Sequence, residues 1–128
     1  MELNDHHFYI NLQKRVTRRK QCEKQLKSIG IREPKRFNAI ENEIGLIGCA
    51  QSHIGCLKIA RDENWPYICI FEDDLLFTEP GKVKEMIHKY IGYDYDVLYI
   101  GAWIRKYNSI NEELVRVING CCFHAYIV

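Results

Sequence analysis

The fold class this sequence predicts is an α/β domain with a mostly parallel sheet flanked by helices, and three observations predict it. Short apolar and β-branched runs alternate with segments of helical period. The clearest helical segment, residues 46–61, repeats Leu46, Cys49, His53, Cys56 and Ala60 at three- and four-residue steps. The most apolar run, Tyr67-Ile68-Cys69-Ile70-Phe71, passes directly into Glu72-Asp73-Asp74. Ligands of open α/β sheets sit beyond the carboxyl ends of the strands, so that junction is the first place to look for a site.

Each element has its own signal. Phe8-Tyr9-Ile10-Asn11-Leu12 reads as a first strand. A basic turn follows, and Thr17 is positioned to cap a helix in which Cys22, Leu26 and Ile29 share a face, with Gly30 ending it. Residues 36–40 form a short extended segment, and the 46–61 helix comes next, despite the low intrinsic propensity of Gly48 and Gly55. Trp65-Pro66 breaks the chain before the 67–71 strand. Pro80-Gly81 starts a third helix with Val83, Met86, Ile87 and Tyr90 on one side. Residues 96–101 are a further strand, and 114–118 with 121–128 read as two late strands around an Asn119-Gly120 turn. The chain stops at Ala125-Tyr126-Ile127-Val128 inside an apolar strand, which suggests one domain over 1–128 lacking its C-terminal part.

Bulk composition excludes several function classes. The chain has 128 residues, 47% hydrophobic and 27% charged, enough for one domain with a core and unlike a disordered segment. Eighteen Lys and Arg face 17 Asp and Glu, so no overall field draws the protein to nucleic acid or an anionic membrane. No segment approaches the roughly 20 apolar residues of a membrane span. Residues 1–7 lack the basic-then-apolar order of a secretory signal, so the expected location is cytoplasmic. Six cysteines contain no Cys-x-x-Cys pair, which favours buried free thiols in a reducing compartment over zinc or disulfides.

Three groups of residues are candidates for chemistry. Two carboxylates about 4 Å apart repel by about 4 kcal/mol at the effective dielectric of a protein surface, so Glu72-Asp73-Asp74 requires solvent, a raised pKa or a bound cation. While extended geometry persists, Glu72 and Asp74 point one way and Asp73 the other, an acid-x-acid arrangement suited to holding magnesium or manganese against a phosphate. The bland reading is a solvated acidic turn. Arg15, Arg18 and Arg19 lie near a helix start, where cations oppose the macrodipole unless an anion arrives, and arginine forks bind phosphate well. The bland reading there is a solvated basic face. Ser52 and His53 sit on the long helix, His53 on its apolar stripe as either a satisfied core histidine or a ligand neighbour. His124 and Tyr126 share a strand face and read as packing, as does the Cys121-Cys122 pair.

The order of these pieces resembles glycosyltransferase family 25, which includes bacterial lipooligosaccharide galactosyltransferases and the collagen galactosyltransferase type. The carrying residues are Phe8-Tyr9-Ile10-Asn11-Leu12-x-x-Arg15-x-x-Arg18-Arg19, Gly45-Leu46-Ile47-Gly48-Cys49-Ala50-x-Ser52-His53, Ile70-Phe71-Glu72-Asp73-Asp74 and Asp96-Val97-Leu98-Tyr99-Ile100-Gly101. A last segment, Gly120-Cys121-Cys122-Phe123-His124-Ala125-Tyr126, matches a family stretch ending in His-Ala-Tyr. The resemblance implies a GT-A-like (Rossmann-like) nucleotide-sugar domain whose acidic motif plays the DxD role. Glu72 and Asp74 would then hold a divalent cation, Mn2+ favoured over Mg2+, with Asp73 beside the ribose or sugar. Asn11, Leu12, Arg15 and Arg19 would line the nucleotide pocket, and Ser52 with His53 would brace it. The implied reaction is metal-dependent, inverting transfer of a hexose, galactose favoured, from a UDP-sugar to a hydroxyl of a glycan, lipooligosaccharide or protein acceptor. The resemblance identifies no catalytic base among these residues. Two alternatives stand beside it: an inactive remnant of the same fold that homodimerises through a sheet edge, and a small phosphate- or nucleotide-binding α/β module.

Overall fold

The alternation of strands and helices is present in a computed structural model that describes residues 3–128; Met1 and Glu2, the start of the polar amino-terminal run, lie outside the described residues. In chain order the elements are β1 (His7–Asn11), α1 (Val16–Ser28), β2 (Arg36–Asn38), α2 (Gly45–Asp62), β3 (Cys69–Glu72), α3 (Pro80–Tyr90), β4 (Leu98–Ser109) and β5 (Val115–Ile127). The five strands form one sheet in the order β2-β1-β3-β5-β4.

The sheet is mixed, which corrects the expectation of a mostly parallel one. β1 pairs in parallel with β2 and β3, but β5 runs antiparallel to both β3 and β4. The cause is the connection between β4 and β5: residues 110–114 are too few for a crossover, so the two strands pair as a hairpin. That hairpin also corrects the expected turn at Asn119-Gly120, which lies inside β5 with Gly120 opposite Ile104. Asn111 makes the real turn, its Oδ1 accepting from the Glu113 and Leu114 N–H groups at 2.8 Å each. Gly120 serves a close approach instead, since a Cβ there would lie 3.1 Å from the Trp103 carbonyl oxygen. The strand expected at 96–101 accordingly extends to Ser109.

Helices cover both faces. Under α1 and α3, Tyr9, Cys69, Phe71, Ala125 and Ile127 pack with Cys22, Leu26 and Ile87. On the other face, Phe8, Ile10, Ile68, Ile70 and Tyr126 pack under Cys56 and Ala60 of α2. Period-two alternation in β1 and β3 divides the side chains between these layers.

Two helix details differ from expectation for local reasons. α1 starts one residue before Thr17, with Arg15 at the N-cap and no side-chain cap. Its end is as expected: Gly30, at φ 99°, donates to the Lys27 carbonyl while Ile31 donates to that of Leu26. In α2 the buried stripe is Gly48, Ser52, Cys56 and Ala60, while Leu46 is 81% exposed and Cys49 is exposed. Small residues at four-residue spacing let the helix lie against the chain that follows β2. A Cβ on Gly48 would lie 2.6 Å from the Ile40 carbonyl oxygen, and one on Gly55 the same distance from the Phe37 ring. The two glycines that weaken the helix on propensity are therefore what allow it to dock.

All six cysteines are free; Cys22, Cys56 and Cys69 are buried, but Cys49, Cys121 and Cys122 are not, so the expectation of buried thiols holds for half of them. Among the described residues, no helix is long and apolar enough to cross a membrane.

Candidate functional site

Because β1, β2 and β3 are parallel, Asn11, Asn38 and Glu72 end at the same edge of the sheet. β5 runs the other way beside β3, with Ala125 opposite Phe71, so His124 arrives next to Glu72. A cleft of about 400 Å³ opens at this edge. Its walls are Leu12, Lys14, Arg15 and Arg18 on one side and Ile40, Glu41, Cys49, Ser52 and His53 on the other, with Glu72, Asp73 and Asp74 between them. Lys14 and Glu41 meet across it at 2.5 Å, both well exposed, a contact of under about 1 kcal/mol.

The acidic triplet divides as strand alternation requires. Asp73 faces α1: its Oδ2 accepts from Asn11 Nδ2 at 2.7 Å, and its Oδ1 lies 3.4 Å from Arg18 Nη1. Glu72 faces α2, and its Oε1 lies 3.2 Å from His53 Nε2 and 3.7 Å from Cys49 Sγ. Asp74, already in the turn, returns to the Glu72 side. There His124 Nδ1 lies between the two acids, 2.9 Å from Glu72 Oε2 and 3.1 Å from Asp74 Oδ1. Burial alone would raise the Glu72 pKa, but the hydrogen bonds and charges of His53 and His124 outweigh it, so the carboxyl stays below its ordinary range.

Two groups of donors cluster here, each with its atoms within 4.8 Å of one another: Glu72, Asp74 and His124, and Cys49, His53 and Glu72. They differ in chemistry. Burial first, and then the Glu72 charge, raise the pKa of the Cys49 thiol, which keeps it protonated and a poor ligand. The first group offers two carboxylate oxygens and an imidazole nitrogen, a donor set suited to a divalent cation once His124 Nδ1 gives up the proton it shares with the two acids.

A local irregularity delivers His124. Between the Gly101–Ala125 and Trp103–Cys121 pairs, β4 has one residue and β5 has three, and Cys122 takes a left-handed φ of 56°. This is a β-bulge, a device that re-aims side chains beside functional sites, and His124 stands at its end.

The anticipated residues distribute unevenly around the cleft. Leu12, Arg15, Ser52, His53, Glu72, Asp73 and Asp74 line it. Asn11 is buried behind Asp73, which it orients while also donating to the Arg15 carbonyl at 3.2 Å. Arg19 does not line it; Arg18, one position earlier, reaches the acids instead. The Ser52 hydroxyl accepts from the Ile40 N–H at 2.8 Å and donates to the Gly48 carbonyl at 2.7 Å, tying one wall to α2. His53 lines the cleft half-buried with both ring nitrogens satisfied, by Tyr126 from the packed layer beneath α2 and by Glu72 at the cleft. Sequence reasoning assigned His124 and Tyr126 to packing. Their even spacing was the available signal, but its meaning depends on β5 lying beside β3, which no local pattern states.

No curated protein matches the chain. A family profile, that of glycosyltransferase family 25 (LPS biosynthesis protein), matches residues 43–124, taking in α2, the acidic triplet and His124. That match spans well over half of the sequence, and the chain belongs to glycosyltransferase family 25.

Proposed function

We propose that this cleft binds the nucleoside-diphosphate end of a sugar donor, a UDP-hexose with galactose favoured, for transfer to a hydroxyl of a glycan, lipooligosaccharide or protein acceptor. The observation that carries the reading is charge separation within one cleft. Glu72 and Asp74 converge beside His124, while Arg15, Arg18 and Lys14 line the flank of the same cleft, Arg18 lying 3.4 Å from Asp73. A nucleoside diphosphate with a divalent cation has the complementary pattern. α1 has no acidic residue in its first turn, so its N-terminal N–H groups and arginines add to an anion-favouring wall. Asn11 supports it from behind the cleft, where its Nδ2 holds Asp73 at 2.7 Å.

Glu72, Asp74 and His124 would hold the cation, and an imidazole nitrogen in the set favours Mn2+ over Mg2+, which demands an octahedron of oxygens. A divalent ion held by these residues would supply positive charge to offset that of the departing diphosphate. The chain's own groups do the rest. Arg15 and Arg18 hold phosphate oxygens, Asp73 is kept by Asn11 and Arg18 for a ribose or sugar hydroxyl, and Ser52 fixes the wall. Transfer would be inverting: the acceptor oxygen bonds to the anomeric carbon as that carbon's bond to the phosphate oxygen breaks, UDP leaves, and the acceptor hydroxyl's proton passes to a general base, a role assigned to none of these residues.

Thermal denaturation with UDP and manganese tests this. Ligand at about a hundred times its Kd stabilises a protein by about 2.7 kcal/mol, a shift of several degrees. The expected result is a rise in Tm with UDP and Mn2+ together, abolished by EDTA and by Asp74→Ala. An unchanged Tm at millimolar nucleotide and metal overturns the reading.

One observation favours a second reading, the same fold without catalysis and dimeric through its sheet edge. β4 is an edge strand carrying Trp103 at 68% and Tyr107 at 55% exposure. Light scattering that finds a dimer, with no response to UDP, would select it.

A further inference from the structure

We propose that Tyr126 is a positioning residue for the acidic site, acting through His53 on Glu72. The inference rests on the metal-binding reading above and extends it to a residue that does not itself offer a ligand. Tyr126 Oη lies 2.8 Å from His53 Nδ1, and His53 Nε2 lies 3.2 Å from Glu72 Oε1. An ionised carboxylate only accepts, so His53 Nε2 must carry the proton in that contact. In the neutral ring Nδ1 is then a bare acceptor, and the Tyr126 hydroxyl is the donor that matches it. With His53 neutral, the chain of donors has one direction, from Tyr126 to His53 to Glu72. The opposite histidine tautomer would set a lone pair against the carboxylate.

The consequence lies at the other oxygen of Glu72. With Oε1 held by His53, Oε2 is turned toward His124 and Asp74. The carboxylate is thus fixed before a cation arrives rather than ordered by it. Groups that orient ligands in this way contribute to metal affinity without touching the metal. Packing secures the geometry as well. The His53 and Tyr126 rings stack at 5.7 Å with 18° between planes, and Tyr126 is held in the layer beneath α2 by its register opposite Ile70.

Manganese titration followed by the electron paramagnetic resonance signal of the free ion reads the metal side of this. Tyr126→Phe, which keeps the ring, is expected to weaken Mn2+ binding about tenfold while leaving the metal-free Tm nearly unchanged. His53→Gln supplies a side-chain N–H donor to Glu72 with no tautomer to set. In that background Tyr126→Phe is expected to have no further effect. Equal affinity of Tyr126→Phe and the parent, or an undiminished loss in the His53→Gln background, overturns the proposal.

Nitrogen-15 spectra of the metal-free protein read the tautomer directly. His53 is expected as the Nε2–H form in the parent and as a mixture in Tyr126→Phe. A parent that binds no Mn2+ yet shows this tautomer change defeats the metal reading and leaves the hydrogen-bond chain standing. An unaltered tautomer defeats the chain itself.

Discussion

The half of the sheet formed by β2, β1 and β3 and the half formed by β4 and β5 are built on opposite principles. In the first, short parallel strands lie between helical layers, and Tyr9, Ile70 and Phe71 are almost completely buried. In the second, two strands of 12 and 13 residues form a ribbon whose far part is exposed, Trp103, Tyr107 and Ile118 included. The cleft lies where the halves meet, since β3 contributes Glu72 and β5 contributes His124. Rigid, buried strands place the acids, and the irregular ribbon adds a histidine to them. Position comes from packing on one side and from a bulge on the other.

The sharpest way to break this comparison is to remove one large aromatic from each half. Phe71→Ala empties a fully buried site in β3 and is expected to cost about 3–5 kcal/mol. Trp103→Ala removes a larger ring from β4 but is expected to stay within about 0.5 kcal/mol. Urea unfolding of the two variants measures both, and comparable losses would show that the ribbon carries stability the exposure pattern hides.

A smaller effect sharpens the same contrast through pH. His7 of β1 is buried, its Nε2 accepting from the Lys35 N–H at 3.0 Å, and burial, reinforced by the Lys35 charge, lowers its pKa to about 4. The folded-state value lies below the ordinary 6.5, so the unfolded chain takes up a proton that the folded one refuses. Stability is therefore intact above pH 6.5 and declines as pH falls toward 4, by about 3 kcal/mol from this group. His7→Gln retains an acceptor for Lys35 and should flatten that part of the profile. Urea midpoints at pH 7.5 and 4.5 in parent and variant decide it, and parallel profiles would contradict a neutral, buried His7.

The buried half was the legible half. The apolar runs at 8–12 and 67–71, the helical period at 46–61 and the glycine stop at Gly30 are local signals, and each corresponds to an element within a residue or two. The split of Glu72 from Asp73 follows from alternation alone. What misled was non-local. Asn119-Gly120 has the composition of a hairpin turn, yet cross-strand pairing with β4 overrides it and Asn111 turns the chain instead. Leu46 fits the helical stripe on hydrophobicity, while the docking face is set by the small residues Gly48 and Ser52. His124 was illegible for the same reason: its partners are Glu72 and Asp74, about fifty positions away, and only the placement of β5 beside β3 brings them together.

The smallest effect tests the join between the halves. Cys122 holds a left-handed φ of 56° inside the bulge that precedes His124, a conformation that costs a residue with a Cβ about 1–2 kcal/mol. Glycine adopts it without steric cost but loses about 0.5–1 kcal/mol more backbone entropy on folding, which offsets about half of the strain relieved. Cys122→Gly is therefore expected to be about 0.5–1 kcal/mol more stable than the parent. Cys122→Val branches at Cβ, where left-handed backbone is rarest, and is expected to lose about 1 kcal/mol or more. If the ribbon relaxes the bulge to accommodate valine, His124 swings with it, and Mn2+ affinity falls even though little stability is lost. Equal stability and equal Mn2+ affinity for all three residues at position 122 would mean that the bulge does not set the histidine, and that β3 alone organises the site.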